Sequence, residues 1–261
     1  MDELVRRTIA VDQANRSLGA EQFDVCGARF VRCQALPIIH DLNHVGVVRT
    51  AAREVDALMA RVEVEFAGYR HRQFVLDPET PPEVEARLVL DGYDDVEASL
   101  LLVLEGELRP ATRPCEIRAV ASDADWTAYA RLKRLDWAER ASRLGLGPLP
   151  EVAEGLIATY RAKVPPLRYW LACVDGEPRG FFSSWEGPDG VGQVEDLFVE
   201  APFRHRGLAT ALLDHTVADA RAAGAGPIAI VADATDTPKR MYVAMGFREV
   251  AVLRKYTRHA P

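Results

Sequence analysis

The sequence predicts a mixed α/β protein of one large or two small domains, and three observations carry that prediction. Apolar residues make up 48% of 261 positions and charged residues 27%, the balance of an ordinary globular chain with material for two cores. Apolar runs of strand length alternate with helix-length runs that carry an apolar stripe, and Gly and Pro separate them. In the second half, Val194 to Leu213 reads as strand, turn and helix without a break.

In chain order, early strands lead to Asn43-His44-Val45-Gly46-Val47. The run Val48 to Phe66 then sets Val55, Leu58, Met59 and Val62 on one helical face with charges between them. His71 to Asp77 reads as a short strand, Pro82 to Leu90 as a helix stopped by Gly92-Tyr93, and Ala98 to Leu104 as a strongly apolar strand. Arg109 to Pro114 holds two prolines in six residues, which neither a helix nor an interior strand continues through, so a domain boundary is expected there, between a domain over 1–112 and another over 113–261.

The second half opens with a strand, Cys115 to Val120. Ser122 with Asp125 three residues on forms a variant capping box for a helix running through Trp137. Pro150 to Lys163 is a further helix. Tyr169 to Val174 and Arg179 to Trp185 are strands joined by Asp175-Gly176, a hairpin signal. Val191 to Val199 is a strand, Gly207 to Ala223 a helix closed by Gly224, and Ile228 to Ala232 a buried strand. Pro238 after Thr237 starts a helix that ends at Gly246 before a last strand, Glu249 to Tyr256. Strand, helix, Gly-aromatic and strand thus occur twice, at Arg72 to Leu104 and at Ile228 to Tyr256.

Charge and composition exclude several classes of function. A net charge of -7 argues against a nucleic-acid surface, which needs clustered Lys and Arg. The N-terminus lacks the apolar core of a signal peptide, and no run approaches the roughly 18 to 20 apolar residues of a membrane span, so a cytoplasmic protein without a membrane partner is expected. Cys26, Cys33, Cys115 and Cys173 are spread without metal-ligand spacing, which points to buried free thiols and no metal.

The chemistry concentrates in Val194 to Leu213. An Arg-rich turn opening a helix leaves backbone N–H groups unpaired, and these with the positive end of the helix dipole make an anion site. Gly207 and Ala209 are small where a pyrophosphate would approach the main chain, and Arg204 and Arg206 add charged donors. Neither G-x-G-x-x-G nor G-x-x-x-x-G-K-[ST] is present in this segment, so dinucleotide and P-loop sites are poorly supported.

Arg204-x-x-Gly207-x-Ala209, directly after a strand, resembles the coenzyme A signature of the GNAT superfamily of N-acetyltransferases. Met241-Tyr242-Val243-Ala244-Met245-Gly246-Phe247 is similar to the Leu-Tyr-x-x-x-Gly-Phe ending of the same superfamily. The resemblance covers about Cys115 to Tyr256. Thr235 stands where many members have Asn, and Pro238 where many have Ala, so no Asn contact to the cosubstrate is implied. What it implies is a GNAT acyl-CoA acyltransferase fold, a mixed, mostly antiparallel sheet flanked by helices and preceded by a smaller α/β domain.

It also implies acetyl-CoA as cosubstrate and a primary amine, on a small molecule or a protein, as acceptor. Leu197, Phe198 and Val199 would bind the pantetheine and the thioester oxygen through their backbone. Arg204, His205, Arg206, Gly207, Leu208, Ala209 and Thr210 would hold the pyrophosphate. Glu195 is the candidate base, acting through a water, and regular alternation would turn it to the face of Leu197 and Val199; a solvated strand end or an ion pair is the alternative. Tyr242 is the candidate acid to the CoA thiolate, the alternative being a core aromatic.

His205 is read as a backbone contact to phosphate and His215 as a buried or edge histidine. Asp136, Glu139, Glu151 and Glu154 border the expected acceptor cleft, though acidic residues on helices commonly form a solvated face; Trp126 and Trp137 fit the core. The N-terminal half shows no copy of the glycine turn. It reads as a degenerate GNAT-like domain without CoA, serving as a lid, a cleft wall or a homodimer surface. An acyl-CoA sensor without turnover is the first competing function, and a structural or partner-binding protein that kept only the fold is the second.

Overall fold

The computed structural model describes residues 1–109, 115–147, 149–235 and 238–259. Its elements in chain order are α1 (Glu3–Ser17), β1 (Glu21–Val25), β2 (Ala28–Arg32), β3 (His44–Gly46), α2 (Val55–Glu65), β4 (His71–Leu76), α3 (Pro82–Leu90), β5 (Asp95–Leu104), β6 (Glu116–Ala119), α4 (Asp123–Arg143), α5 (Pro150–Ala162), β7 (Arg168–Val174), β8 (Glu177–Trp185), β9 (Gly192–Val199), α6 (Leu208–Ala222), β10 (Ile228–Asp233), α7 (Pro238–Ala244) and β11 (Arg248–His259). The expected mixed α/β order is present. Residues 110–114, which hold most of the expected boundary, and the expected cap Thr237 lie outside the described residues.

Two compact units divide the chain: 1–102 with 231–239 and 249–261, and 103–230 with 240–248. In the first unit the strand order is β1-β2-β3-β4-β11-β5. Strand β3 runs parallel to β4, and β11 lies antiparallel to β4 from Arg254↔Leu76 to His259↔His71. Its core gathers Phe30, Val45, Leu58, Val62, Phe66, Phe74, Leu88 and Tyr93. The stripe Val55, Leu58, Met59 and Val62 is buried as its spacing requires, although the helix starts at Val55 rather than Val48. The stretch before it turns at Val47, with φ 48, and leads into α2 through a single 3-10 turn, Ala52–Glu54.

The second unit carries the order β10-β9-β8-β7-β6. Strands β6 to β9 are antiparallel neighbours, and β9 and β10 run parallel. The β7–β8 hairpin turns through Asp175 (φ 52) and Gly176 (φ 77), both in the left-handed region that matches the twist of the flanking strands. Ser122 and Asp125 close a reciprocal capping box at the start of α4.

Helices α4 and α6 cover opposite faces of this sheet. On β8, Ser184 donates to Asp219 of α6 at 2.6 Å, while Phe181, of the other parity, packs its ring 4.7 Å from that of Tyr129 on α4.

Candidate active site

Strand β9 is irregular where the candidate base stands. It pairs with β8 at Phe181↔Phe198 and Ser183↔Glu195, so two steps along β8 match three along β9, with a register shift between them. The extra residue accommodates Asp196, which sits at φ 70, a conformation that Asp tolerates better than most residues. The shift corrects the expected alternation. Glu195 shares the face of Phe198, the side covered by α4, and not that of Val199. Its carboxylate accepts from Gln193 Nε2 at 2.6 Å.

Asp196 is anchored by the helices above it. Its carboxylate accepts from Lys133 Nζ at 2.6 Å and Tyr129 Oη at 3.1 Å, both on α4, and from Tyr160 Oη on α5 at 3.3 Å. Lys133 is buried, 3% exposed, and also donates to Asp136 at 2.8 Å. Burial works against its charge, but Asp136 and Asp196 outweigh that and hold its pKa well above the usual lysine range. Beside them Tyr129 and Tyr169 are pushed well above the usual phenol range, by burial first. Of this group the sequence singled out Asp136, as a border of the acceptor cleft; Lys133, Tyr129 and Tyr160 carried no signal, and Asp196 only that of a carboxylate inside an apolar strand.

On its other edge β9 pairs with β10 at Ile228↔Gly192 and Ala229↔Gln193; among the described residues that ladder ends there while β9 runs on to Val199. The strand backbone from Val194 onward is therefore not taken up by β10.

The chain then turns into α6. His205 (φ 60) and Gly207 (φ 90) both take left-handed conformations, and Gly207 is the N-cap, with no side chain to cap the helix. The first amides of a helix have no partner inside it, and those of α6 belong to Leu208, Ala209 and Thr210. Thr210 turns its hydroxyl back onto the Gly207 carbonyl at 2.8 Å. Leu208 is buried beneath.

The two arginines divide their work. Arg204 donates through Nε to the Val199 carbonyl at 2.9 Å and pairs with Glu139, which braces the turn against the end of β9. Arg206 lies over the Phe203 ring, 5.3 Å from its centroid. With Gly207 and Leu208 it lines an open cleft of about 260 Å³ whose other wall is Cys115, Glu116, Cys173 and Val174.

Tyr242 sits in α7, 4% exposed, with its ring 6.1 Å from that of Phe247. Of the acidic residues expected near the acceptor, Asp136, Glu139 and Glu154 are engaged with Lys133, Arg204 and Arg134. His215 packs edge-on against Trp170 at 4.2 Å. All four cysteines are free thiols; Cys173 is buried and the other three are half-buried. Trp126 and Trp137 are half-buried as well. Among the described residues no group of three or more His, Cys, Asp or Glu could hold a metal, and no helix is long and apolar enough to cross a membrane.

In sequence, residues 129–247 match the model of the acetyltransferase (GNAT) family. These residues form a GNAT domain. The match begins at Tyr129 in α4 and ends at Phe247, so the GNAT domain includes the bulged strand, the glycine turn and Tyr242. No curated protein matches the chain.

Solved structures resemble the fold along nearly the whole length. A GCN5-related N-acetyltransferase from Kribbella flavida is 16% identical with a TM-score of 0.71, over 98% of this chain and 96% of that one. A conserved protein of unknown function from Staphylococcus epidermidis is 14% identical with a TM-score of 0.71, over 94% and 96%. A tandem GNAT protein from the clavulanic acid biosynthesis pathway is 14% identical with a TM-score of 0.61, over 90% and 79%. The chain thus has the fold of GNAT proteins, tandem ones among them.

Proposed function

We propose that the GNAT domain transfers an acetyl group from acetyl-CoA to a primary amine of a small molecule or protein. The observation that carries the reading is the continuous path from a strand released by β10 to a helix start capped by Gly207 and flanked by Arg206. Uncapped amides and a cation at one end suit a pyrophosphate, and free strand backbone suits an amide-bearing chain.

Acetyl-CoA supplies the acetyl group as a thioester. The amides of Leu208, Ala209 and Thr210, with Arg206, hold its phosphates, while Arg204 and His205 shape the turn and the backbone of Leu197, Phe198 and Val199 orients the acyl end. Glu195, on the α4 face, takes the acceptor's proton through a water so that the amine is uncharged when it attacks. Tyr242 gives a proton to the departing thiolate; a phenol retains its proton at neutral pH.

A second reading, an acyl-CoA sensor without turnover, draws on Thr235. Its hydroxyl and amide both donate to Asp233 Oδ1, at 2.7 and 2.8 Å, so it offers little to a cosubstrate. Release of free thiol on an amine panel favours the enzyme, and binding without release favours the sensor.

The N-terminal half, 1–112, is proposed as a degenerate copy that binds no CoA. Its helix α2 opens with Glu54 and Asp56, carboxylates where an anion site needs cations. Titration calorimetry with acetyl-CoA tests both statements. One site per chain is expected, with Arg206→Ala weakening it about 10- to 100-fold, the worth of one charge-assisted bond of roughly 1.5–3 kcal/mol. Two sites per chain would overturn the proposal for the N-terminal half, and an unchanged Kd would overturn the anion site.

A further inference from the structure

We infer that Lys133 and Asp196 are a positioning pair that sets the β9 bulge and thereby decides which face of the sheet Glu195 presents, an inference that rests on the acetyltransferase reading of the domain. A bulge adds one residue, and one residue reverses the facing of every side chain beyond it. Counting back from Phe198 without the shift, Asp196 would share its face and Glu195 would point to the α6 side. With the shift, Glu195 stands opposite Ser183 on the α4 side.

The bulge is held from outside the sheet. Asp196 is a non-glycine residue at φ 70, a conformation it keeps only where surrounding contacts fix it. Those contacts are Lys133 Nζ at 2.6 Å, Tyr129 Oη at 3.1 Å and Tyr160 Oη at 3.3 Å. Lys133 is itself fixed, by Asp136 at 2.8 Å and by the Tyr160 and Phe181 rings, whose centroids lie 4.7 and 5.4 Å from Nζ. An ammonium that α4 carries into a buried site is thus spent on one carboxylate of β9 and one of its own helix, and the carboxylate of β9 belongs to the inserted residue.

Four variants test the pair in the full chain: Lys133→Met, Lys133→Arg, Asp196→Asn and Asp196→Gly. The glycine variant keeps access to positive φ and removes only the anchor. Hydrogen exchange of the peptide Gly192–Val199 reads the bulge without reference to activity. Lys133→Met and Asp196→Gly are expected to exchange there at least tenfold faster than wild type, with the α6 peptide unchanged. In thiol-release assays kcat falls at least 30-fold and the acid limb of the pH profile is lost, while CoA affinity stays within fivefold. Lys133→Arg recovers most of the rate, and Asp196→Asn falls between the extremes.

Wild-type exchange in Asp196→Gly overturns the inference. So does a fall of kcat and CoA affinity by one common factor, with Lys133→Arg no better than Lys133→Met. If wild type binds no acetyl-CoA, the acetyltransferase reading fails, and the exchange data still decide whether the pair holds the bulge.

Discussion

Replacing Gly180 with Ala probes how closely β8 is fitted to the strand proposed to hold the acyl donor. A Cβ on Gly180 would lie 2.7 Å from the Phe198 carbonyl oxygen, 3.1 Å from Val199 Cγ2 and 3.5 Å from Leu212 Cδ1. The tightest neighbour is backbone, which is tied into the β8–β9 ladder beside Gly180↔Val199 and cannot rotate away. Overpacking of this kind costs about 1–3 kcal/mol, and at about 2–4 °C per kcal/mol the melting temperature should fall by about 2–12 °C. The strain is relieved by moving β9 at Phe198 and Val199, so the Kd for acetyl-CoA should rise about tenfold, equivalent to 1.4 kcal/mol. Thermal unfolding and titration calorimetry read the two effects, with Gly106→Ala as the comparison, since nothing lies within 4 Å of a Cβ there. A Gly180→Ala protein that melts and binds like wild type refutes the close fit and the link from β8 to the donor strand.

Tyr242→Phe should lower turnover by about 10²–10⁴-fold, the range for a lost general acid, and leave CoA affinity within about threefold; equal losses in both would assign Tyr242 to packing. In the first unit, burial lowers the pKa of His44 to about 4, with Arg16 adding to it, and that of His71 to about 3, with His40 adding to it. Both start from 6.5 in the unfolded chain, which therefore binds protons first as the pH falls. Stability present above that value is lost toward pH 4 for His44 and pH 3 for His71, by about 2 kcal/mol for each histidine between pH 7 and pH 5. Urea midpoints at pH 7, 6 and 5 measure the loss, which His71→Gln should reduce; a constant midpoint would contradict the buried neutral histidines.

The sequence made most helices and strands of the second half legible to within a residue or two because each had local punctuation, whereas α4 runs six residues past the expected Trp137 and β11 three past Tyr256, ends that carry no such signal. Asp175-Gly176, Ser122 with Asp125, Pro150 and Gly207 act within a few residues of themselves, and the structure uses each as its chemistry requires. Helix α1 carries little sequence signal, since its buried face includes Thr8, Asp12, Asn15 and Arg16 and shows little apolar stripe. The β9 bulge was illegible for a different reason. Alternation is a property of one strand, whereas the insertion at Asp196 depends on Lys133, Tyr129 and Tyr160, between 36 and 67 residues away in the chain. Likewise Arg204 and Arg206 look equivalent in the turn, and only Glu139, on another helix, separates the brace from the cleft residue.

The internal echo in the sequence has a physical counterpart that distinguishes what the two halves retain. After α3, the amide of Gly92 donates to Val89 at 3.2 Å and that of Tyr93 to Leu88 at 3.0 Å; after α7, Gly246 donates to Val243 at 3.1 Å and Phe247 to Tyr242 at 3.0 Å. Both glycines take positive φ, 78 and 113, and both aromatic rings are buried. The two corners are therefore one backbone solution to ending a helix and entering a strand. The side chains at the matched position differ in kind, Leu88 in one and Tyr242 in the other. Similarly α2 opens with Glu54 and Asp56, where α6 opens with Gly207 after Arg206. Backbone geometry at these corners is fixed by hydrogen bonds and burial, which an apolar residue satisfies as well as a phenol. Proton donation and anion binding, the roles proposed for Tyr242 and for the Arg206-Gly207 turn, have no such substitutes, and the matched positions of the first half carry Leu88 and the carboxylates of Glu54 and Asp56 instead.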